Sequence, residues 1–121
     1  MNYLLVTIGA GIGGGLRYFI SNYATKIFPI YFPFGTLLVN ILGSIFLGFL
    51  IFSLDDKELL SNNLKLLLAV GFCGGLTTFS TFSLETINLL KDSQFLFAGL
   101  NIFLNVFVTM FGIYLAYVFS K

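Results

Sequence analysis

Histidine is absent from the 121 residues, and cysteine occurs only once, at Cys73. These absences exclude a Cys/His zinc site, a Ser-His or Cys-His nucleophile pair and a disulfide within the chain. Cys73 could pair only with another chain, and in an apolar segment it is more typical of a small packing residue. Most of the chemistry of soluble enzymes has no residues to work with here, so the sequence predicts a protein that is not an enzyme.

Charge is also scarce, at 9% of residues, while 58% are hydrophobic. A soluble domain carries about a quarter charged residues, because a small globule has much surface to hydrate. The net charge of +1 gives no basic surface for nucleic acid. The composition therefore indicates a membrane protein without a nucleic-acid partner.

Four segments are long and apolar enough to span a bilayer, which takes about 20 residues. They cover residues 3–23, 34–54, 64–90 and 95–119. FPIYFPF, LDDKELLSNN and KDSQ separate them. The opening MNYLLVTIGAG lacks a basic n-region and a small-residue cleavage site, so we expect a retained membrane helix rather than a signal peptide. The sequence predicts an all-α, multi-pass membrane protein with a single transmembrane domain over residues 1–121.

The basic residues near the ends of the spans are evenly divided. With an even number of spans both termini share one side, and three basic residues fall on each side, namely Lys57, Lys65 and Lys121 against Arg17, Lys26 and Lys91. The positive-inside rule then gives no orientation. An even count can arise by chance in a short protein, or it can indicate insertion both ways. Two antiparallel copies would reproduce the inverted repeats of transporters, so we expect an antiparallel, dual-topology homodimer.

Glycines recur at four-residue spacing in two of the spans. The first span contains two such pairs, Gly9 with Gly13 and Gly11 with Gly15. The third span contains one, Gly71 with Gly75. Small residues at this spacing let helix backbones approach closely in lipid. Helix packing is the default interpretation of these glycines, and we expect it for those of the first span.

Polar side chains inside a span are functional candidates, because they are costly in lipid. Asn40 either bonds a neighbouring helix or points its two N–H donors into a pore. Asn101, Asn105 and Thr109 follow at i, i+4 and i+8, on one helix face. They are either a polar track or a glued helix interface. Arg17 either snorkels or adds positive potential at an entrance.

GFCGGLTTFSTFSLE, residues 71–85, interrupts the third span. Gly74 and Gly75 followed by Thr77 and Thr78 predict a helix broken at mid-membrane, and a local kink is the alternative. Non-helical backbone is tolerated at that depth only inside protein or beside a cavity, and its free carbonyls suit a cation such as Na⁺.

Phe79 and Phe82 follow the predicted break on one helix face. Phenylalanine in lipid is ordinarily packing, but the positive ring edge can also contact an anion weakly. Glu85 is either interfacial or the mark of a vestibule.

GTLLVNILGSIFLG, GFCGGLTTFSTFSLE and GLRY together resemble the Fluc (CrcB) fluoride-channel family over essentially the whole chain. The resemblance implies a dimer with two fluoride-selective pores in a bacterial cell membrane, which export fluoride passively and give fluoride resistance. It also implies a central structural Na⁺ on the carbonyls of Gly74 and Thr77. Members often place an aromatic residue and serines on the fourth-span track, where this chain has asparagines and a threonine.

Mapped by motif, the resemblance assigns residues to a pore and to its mouths. The implied pore residues are Asn40, Phe79, Ser80, Thr81, Phe82, Asn101, Asn105 and Thr109, and the implied vestibule residues are Arg17 and Glu85. A small proton-coupled multidrug exporter is the main alternative, but it needs an acid in the first span, which has none. A structural membrane subunit would leave the break and the polar track unexplained.

Overall fold

The computed structural model describes all 121 residues and is entirely helical. Five helices make up the fold: α1 is Asn2–Ile27, α2 is Phe34–Asp55, α3 covers residues 62–76, α4 is Phe79–Lys91 and α5 is Phe95–Phe119. α3 and α4 follow one another along the third span, so the chain has four helical segments long and apolar enough to cross a membrane. The predicted all-helical fold with four apolar segments is confirmed.

The third span is broken at Thr77 and Thr78. Thr77 (φ −87°, ψ 158°) and Thr78 (φ −148°, ψ 122°) are both extended, between the end of α3 and the start of α4. The Thr78 hydroxyl then caps α4, because its Oγ1 accepts a 3.1 Å hydrogen bond from the N–H of Thr81. The interruption predicted from the glycine and threonine pairs is therefore present as two non-helical residues.

Three of the spanning segments contain wider, π-helical turns, at Leu50–Asp55, Lys65–Cys73 and Leu104–Val108. Such turns are rare in helices and shift the side chains that follow them around the helix axis. The turns at Leu104–Val108 lie within the fourth-span segment that carries Asn101, Asn105 and Thr109. The face shared by these polar residues is thus not that of a regular α-helix.

α1 packs along α3 through glycines. A Cβ at Gly9 would meet the carbonyl oxygen of Leu67, and a Cβ at Gly13 would meet that of Phe72. Gly11 and Gly15, in contrast, have nothing within 4 Å of such a Cβ. Only one of the two glycine repeats in the first span forms the expected contact with α3.

α2 packs on α5 and on α3. Gly48 of α2 lies against Ile113 and Ala116 of α5. Leu50, Ala69 and Cys73 form a small buried core where α2 meets α3. The single cysteine is therefore a buried packing residue with a free thiol.

Candidate functional site

A cavity of about 380 Å³ lies at the break in the third span. Five of the predicted pore residues line it, and they come from three spans: Asn40, Phe79, Phe82, Asn105 and Thr109. Ser80, Thr81 and Asn101 do not line it. The fold thus gathers residues that are more than 60 positions apart in sequence, such as Asn40 and Asn105, around the non-helical backbone.

The side-chain amide of Asn40, on α2, hydrogen-bonds the non-helical backbone at the break. Its Oδ1 accepts a 2.8 Å hydrogen bond from the N–H of Thr78, and its Nδ2 donates to the Thr78 carbonyl at 3.2 Å. The second hydrogen of Nδ2 is directed at Oδ1 of Asn105, at 2.8 Å. Asn40 therefore bonds both backbone polar groups of one extended residue, which would otherwise be unsatisfied at membrane depth.

A directional chain of hydrogen bonds continues from Asn105 to α4. Nδ2 of Asn105 donates to Oδ1 of Asn101 at 2.8 Å, and Nδ2 of Asn101 donates to Oγ1 of Thr86 at 2.9 Å. Thr86 in turn donates its hydroxyl hydrogen to the Phe82 carbonyl at 2.8 Å. In Asn105 and Asn101 the amide oxygen accepts from one neighbour and the amide nitrogen donates to the next. A flipped amide would lose both bonds, so each has one orientation.

Asn101 is the most buried member of that chain. Its exposed fraction is 0%, and Asn105 and Thr86 are 7% and 6% exposed. Asn101 lies behind the cavity wall, between α4 and α5, rather than in the wall. The sequence left a polar track and a helix interface open for these fourth-span residues. In the structure Asn105 and Thr109 face the cavity, and Asn101 joins helices.

The two phenylalanines of α4 face the cavity together. The ring centroids of Phe79 and Phe82 are 5.5 Å apart, with an angle of 54° between the ring planes. Phe79 is 67% exposed in the single chain. Neither ring is enclosed by the chain's own helices, so both are available to a molecule or ion beside the break.

Two carbonyls at the break lose the helical partner that an unbroken helix would supply. The N–H of Thr78, four residues after Gly74, bonds Asn40 instead of the Gly74 carbonyl. The N–H of Thr81, four residues after Thr77, bonds the Thr78 hydroxyl instead of the Thr77 carbonyl. Gly74 is also exposed, with nothing within 4 Å of where a Cβ would lie.

Arg17 lies beside the break. Its Nε donates a 3.0 Å hydrogen bond to the carbonyl of Gly75, and the side chain is half-buried. It lines neither of the polar cavities described here. Arg17 therefore links the first span to the backbone at the break.

Glu85 lines a second cavity of about 350 Å³, which lies beyond the break between α1, the loop before α2, and α4. Thr36, Asn88 and Asp92 share this cavity. The Oε1 atom of Glu85 is buried and has no hydrogen-bond partner. The polar lining is what an aqueous mouth requires, which is where the sequence expectation places Glu85.

Two residues of these sites were not singled out from the sequence. Ser44 lines the first cavity, four residues after Asn40 on α2, and Thr86 anchors the amide chain. The four-residue spacing from Asn40 is the signal that could have found Ser44, because i and i+4 share a helix face. Thr86 offered no comparable signal, since its partner lies on another helix.

Comparison with known proteins gives a consistent result over the full chain. A family described as "CrcB-like protein, Camphor Resistance (CrcB)" matches residues 4–117. A "Fluoride-specific ion channel FluC" of Shewanella sp. (strain ANA-3) is 47% identical over 122 residues, covering 99% of this chain and 98% of the relative. The proteins of the same description from Shewanella baltica (strain OS185) and Shewanella oneidensis are 47% and 46% identical over the same length.

Proposed function

Because the chain belongs to the CrcB/FluC fluoride-channel family, we propose that it is a fluoride-selective channel of the cell membrane. The observation that carries this is the cavity at the break, where Asn40, Phe79, Phe82 and Asn105 meet. Fluoride enters cells as a neutral weak acid and dissociates inside, so a cell needs an exit for the anion. The chain is a channel and not an enzyme, and four spans make it a multi-pass membrane protein.

Membrane voltage is sufficient to drive this exit. Moving one charge across 100 mV releases about 2.3 kcal/mol, and a tenfold concentration gradient corresponds to about 1.4 kcal/mol. The electrical free energy that drives an anion outward thus exceeds the free energy of a tenfold opposing concentration gradient. Passive flow needs no coupled proton, and α1, where a proton-coupled exporter of this size would carry its acid, contains no aspartate or glutamate.

The conducting unit in this proposal is an antiparallel homodimer. The cavity at the break has amide and hydroxyl groups in its wall, and Gly74 and Phe79 beside it are exposed. Polar walls and extended backbone are not stable against lipid tails, so protein or water must cover them. A second copy related by a two-fold axis in the membrane plane would cover this face and give two equivalent pores.

The proposed structural Na⁺ fits the break. The carbonyls of Gly74 and Thr77, whose helical partners bond elsewhere, are hard oxygen ligands of the kind that Na⁺ prefers. Two carbonyls from each copy would hold the ion, which would supply positive charge where the two chains meet. Exchange of Na⁺ for N-methylglucamine is expected to lower the melting temperature of the purified dimer, and added Na⁺ to restore it in proportion to the logarithm of its concentration. A melting temperature independent of Na⁺ would contradict the site.

Fluoride efflux from proteoliposomes tests the function. Vesicles loaded with potassium fluoride are diluted into fluoride-free medium, and a K⁺ ionophore carries the compensating charge. A fluoride electrode should record rapid release only when both protein and ionophore are present. Absence of release, or equal release of chloride from matched vesicles, would refute a fluoride-selective channel.

A further inference from the structure

Nearly every hydrogen-bond donor in the wall of the cavity at the break is already committed to the protein. Both hydrogens of Asn40 Nδ2 are directed at acceptors, on Thr78 and Asn105. Both hydrogens of Asn105 Nδ2 are directed at Asn101, at its Oδ1 (2.8 Å) and its carbonyl oxygen (2.9 Å). An amide has only two N–H donors. The two asparagines of the wall therefore shape the cavity without a free donor for an anion.

Two of the three threonine hydroxyls of the wall donate to the protein as well. Thr77 donates to the Cys73 carbonyl at 2.9 Å, and Thr109 donates to the Asn105 carbonyl. These are the bonds to the carbonyl four residues earlier that serine and threonine commonly make in helices. Thr78 Oγ1 accepts from the Thr81 N–H and lies 3.3 Å from Ser80 Oγ.

Ser44 differs from the two asparagines and from Thr77 and Thr109. It lines the cavity one helical turn after Asn40, and its hydroxyl makes no hydrogen bond within the chain, not even to the carbonyl four residues earlier. The residue is half-buried. The only buried side-chain oxygen without a partner is Glu85 Oε1, so the Ser44 oxygen is accessible rather than sealed in the packing.

We propose that Ser44 is an ion-contacting residue of the channel, whose hydroxyl donates a hydrogen bond to fluoride as it passes the break. This inference rests on the proposed function and assigns the donor within it. A small anion that leaves water needs hydrogen-bond donors to replace its hydration. A hydrogen bond from a hydroxyl to a charged acceptor is stronger than a hydrogen bond between neutral groups. The rings of Phe79 and Phe82, in the same wall, offer only their weakly positive edges.

The rigid wall makes a free hydroxyl effective. Because the amides of Asn40 and Asn105 are held by each other and by Thr78, they do not turn to compete for the ion. The Ser44 hydroxyl can rotate about its Cβ–Oγ bond toward the ion, since no protein acceptor holds it. The donor is thus mobile while the wall around it is fixed.

Ser44→Ala, Ser44→Thr and Ser53→Ala test the proposal in the efflux assay. Ser53 is a matched control, because it is a half-buried serine of the same helix that lies outside this cavity. Loss of one hydrogen bond to an ion should raise the half-saturating fluoride concentration about tenfold in Ser44→Ala. Ser44→Thr keeps the hydroxyl and Ser53→Ala keeps Ser44, so both should stay near the wild-type concentration.

Each other outcome has one meaning. A Ser44→Ala channel with the wild-type half-saturating concentration would overturn the proposal, as would an equal increase in Ser53→Ala or in Ser44→Thr. Failure of the wild-type protein to release fluoride at all would refute the channel itself. The two failures are distinguishable, because the first needs a conducting wild-type protein as its reference.

Discussion

The side-chain oxygen of Asn40 accepts the backbone N–H of Thr78 at 2.8 Å, across two different spans. In an unbroken helix that N–H would bond the carbonyl of Gly74. One side chain on α2 therefore keeps the third span broken and leaves the Gly74 carbonyl without its helical donor. The helical bond that is absent would have joined the Thr78 N–H, now bonded to Asn40, to the carbonyl of Gly74.

Replacing Asn40 by leucine should destabilise the break. Three hydrogen bonds are lost, each worth about 0.6 kcal/mol between membrane helices, so we expect a loss of about 2 kcal/mol in the free energy of unfolding. Hydrogen exchange at the Thr78 amide should become faster in the same variant. Asn88→Leu is the control, since Asn88 is exposed and its side chain makes no hydrogen bond. Unchanged exchange at Thr78 would contradict the role given to Asn40.

Phe79→Ile and Phe82→Ile should each reduce fluoride efflux while the proposed dimer stays assembled. The change removes the positive ring edge but keeps an apolar side chain of moderate size. Phe95→Ile is the matched control, because Phe95 is 67% exposed, as Phe79 is, and lies at the start of α5. Efflux and size-exclusion elution are measured on the same preparations. Wild-type efflux in both α4 variants would remove the rings from the mechanism.

Asn101 and Thr86 should be energetically coupled. The pair is almost fully buried, and Asn101 Nδ2 lies 2.9 Å from Thr86 Oγ1. In a double-mutant cycle with Asn101→Leu and Thr86→Val, we expect a coupling energy of about 0.6 kcal/mol, and up to about 1.7 kcal/mol. Unfolding in detergent gives the four free energies. If the effects of the two substitutions on the free energy of unfolding were strictly additive, the predicted coupling between Asn101 and Thr86 would be contradicted.

Gly9→Ala and Gly11→Ala should have opposite effects on stability. A methyl group at Gly9 would meet the Leu67 carbonyl, and one at Gly11 meets nothing within 4 Å. Overpacking typically costs about 1–3 kcal/mol, whereas alanine in an open helical position gains up to about 1 kcal/mol over glycine. Melting temperatures of the two variants, measured side by side, should therefore move in opposite directions. A lower value for both would place α1 against a further surface at Gly11.

The helices and the break could be predicted from the sequence because both are local. Apolar length gives the spans, and Gly74–Gly75 with Thr77–Thr78 gives a helix that is easily interrupted, as the structure shows at Thr77 and Thr78. The two glycine repeats of α1 could not be told apart, since Gly9 and Gly11 have the same spacing to their partners. Only the position of α3 decides which repeat is buried.

The different roles of the asparagines could not be predicted from the sequence, for a different reason. Equal spacing placed Asn101 and Asn105 on one face, but their roles depend on where Thr86 and Asn40 lie on other helices. Arg17 was expected at an entrance from its place near the end of an apolar run. Its bond to the Gly75 carbonyl follows from the close packing of α1 on α3, which only the folded chain shows.

The one-way order of the amide chain also constrains how this channel can change by mutation. From Asn40 through Asn105 and Asn101 to Thr86, each side chain donates a hydrogen bond to the next. Reversing one member places two donors or two acceptors face to face in a buried setting. Positions 40, 86, 101 and 105 therefore form a single epistatic unit, in which a viable replacement at one position depends on the residues present at the other three.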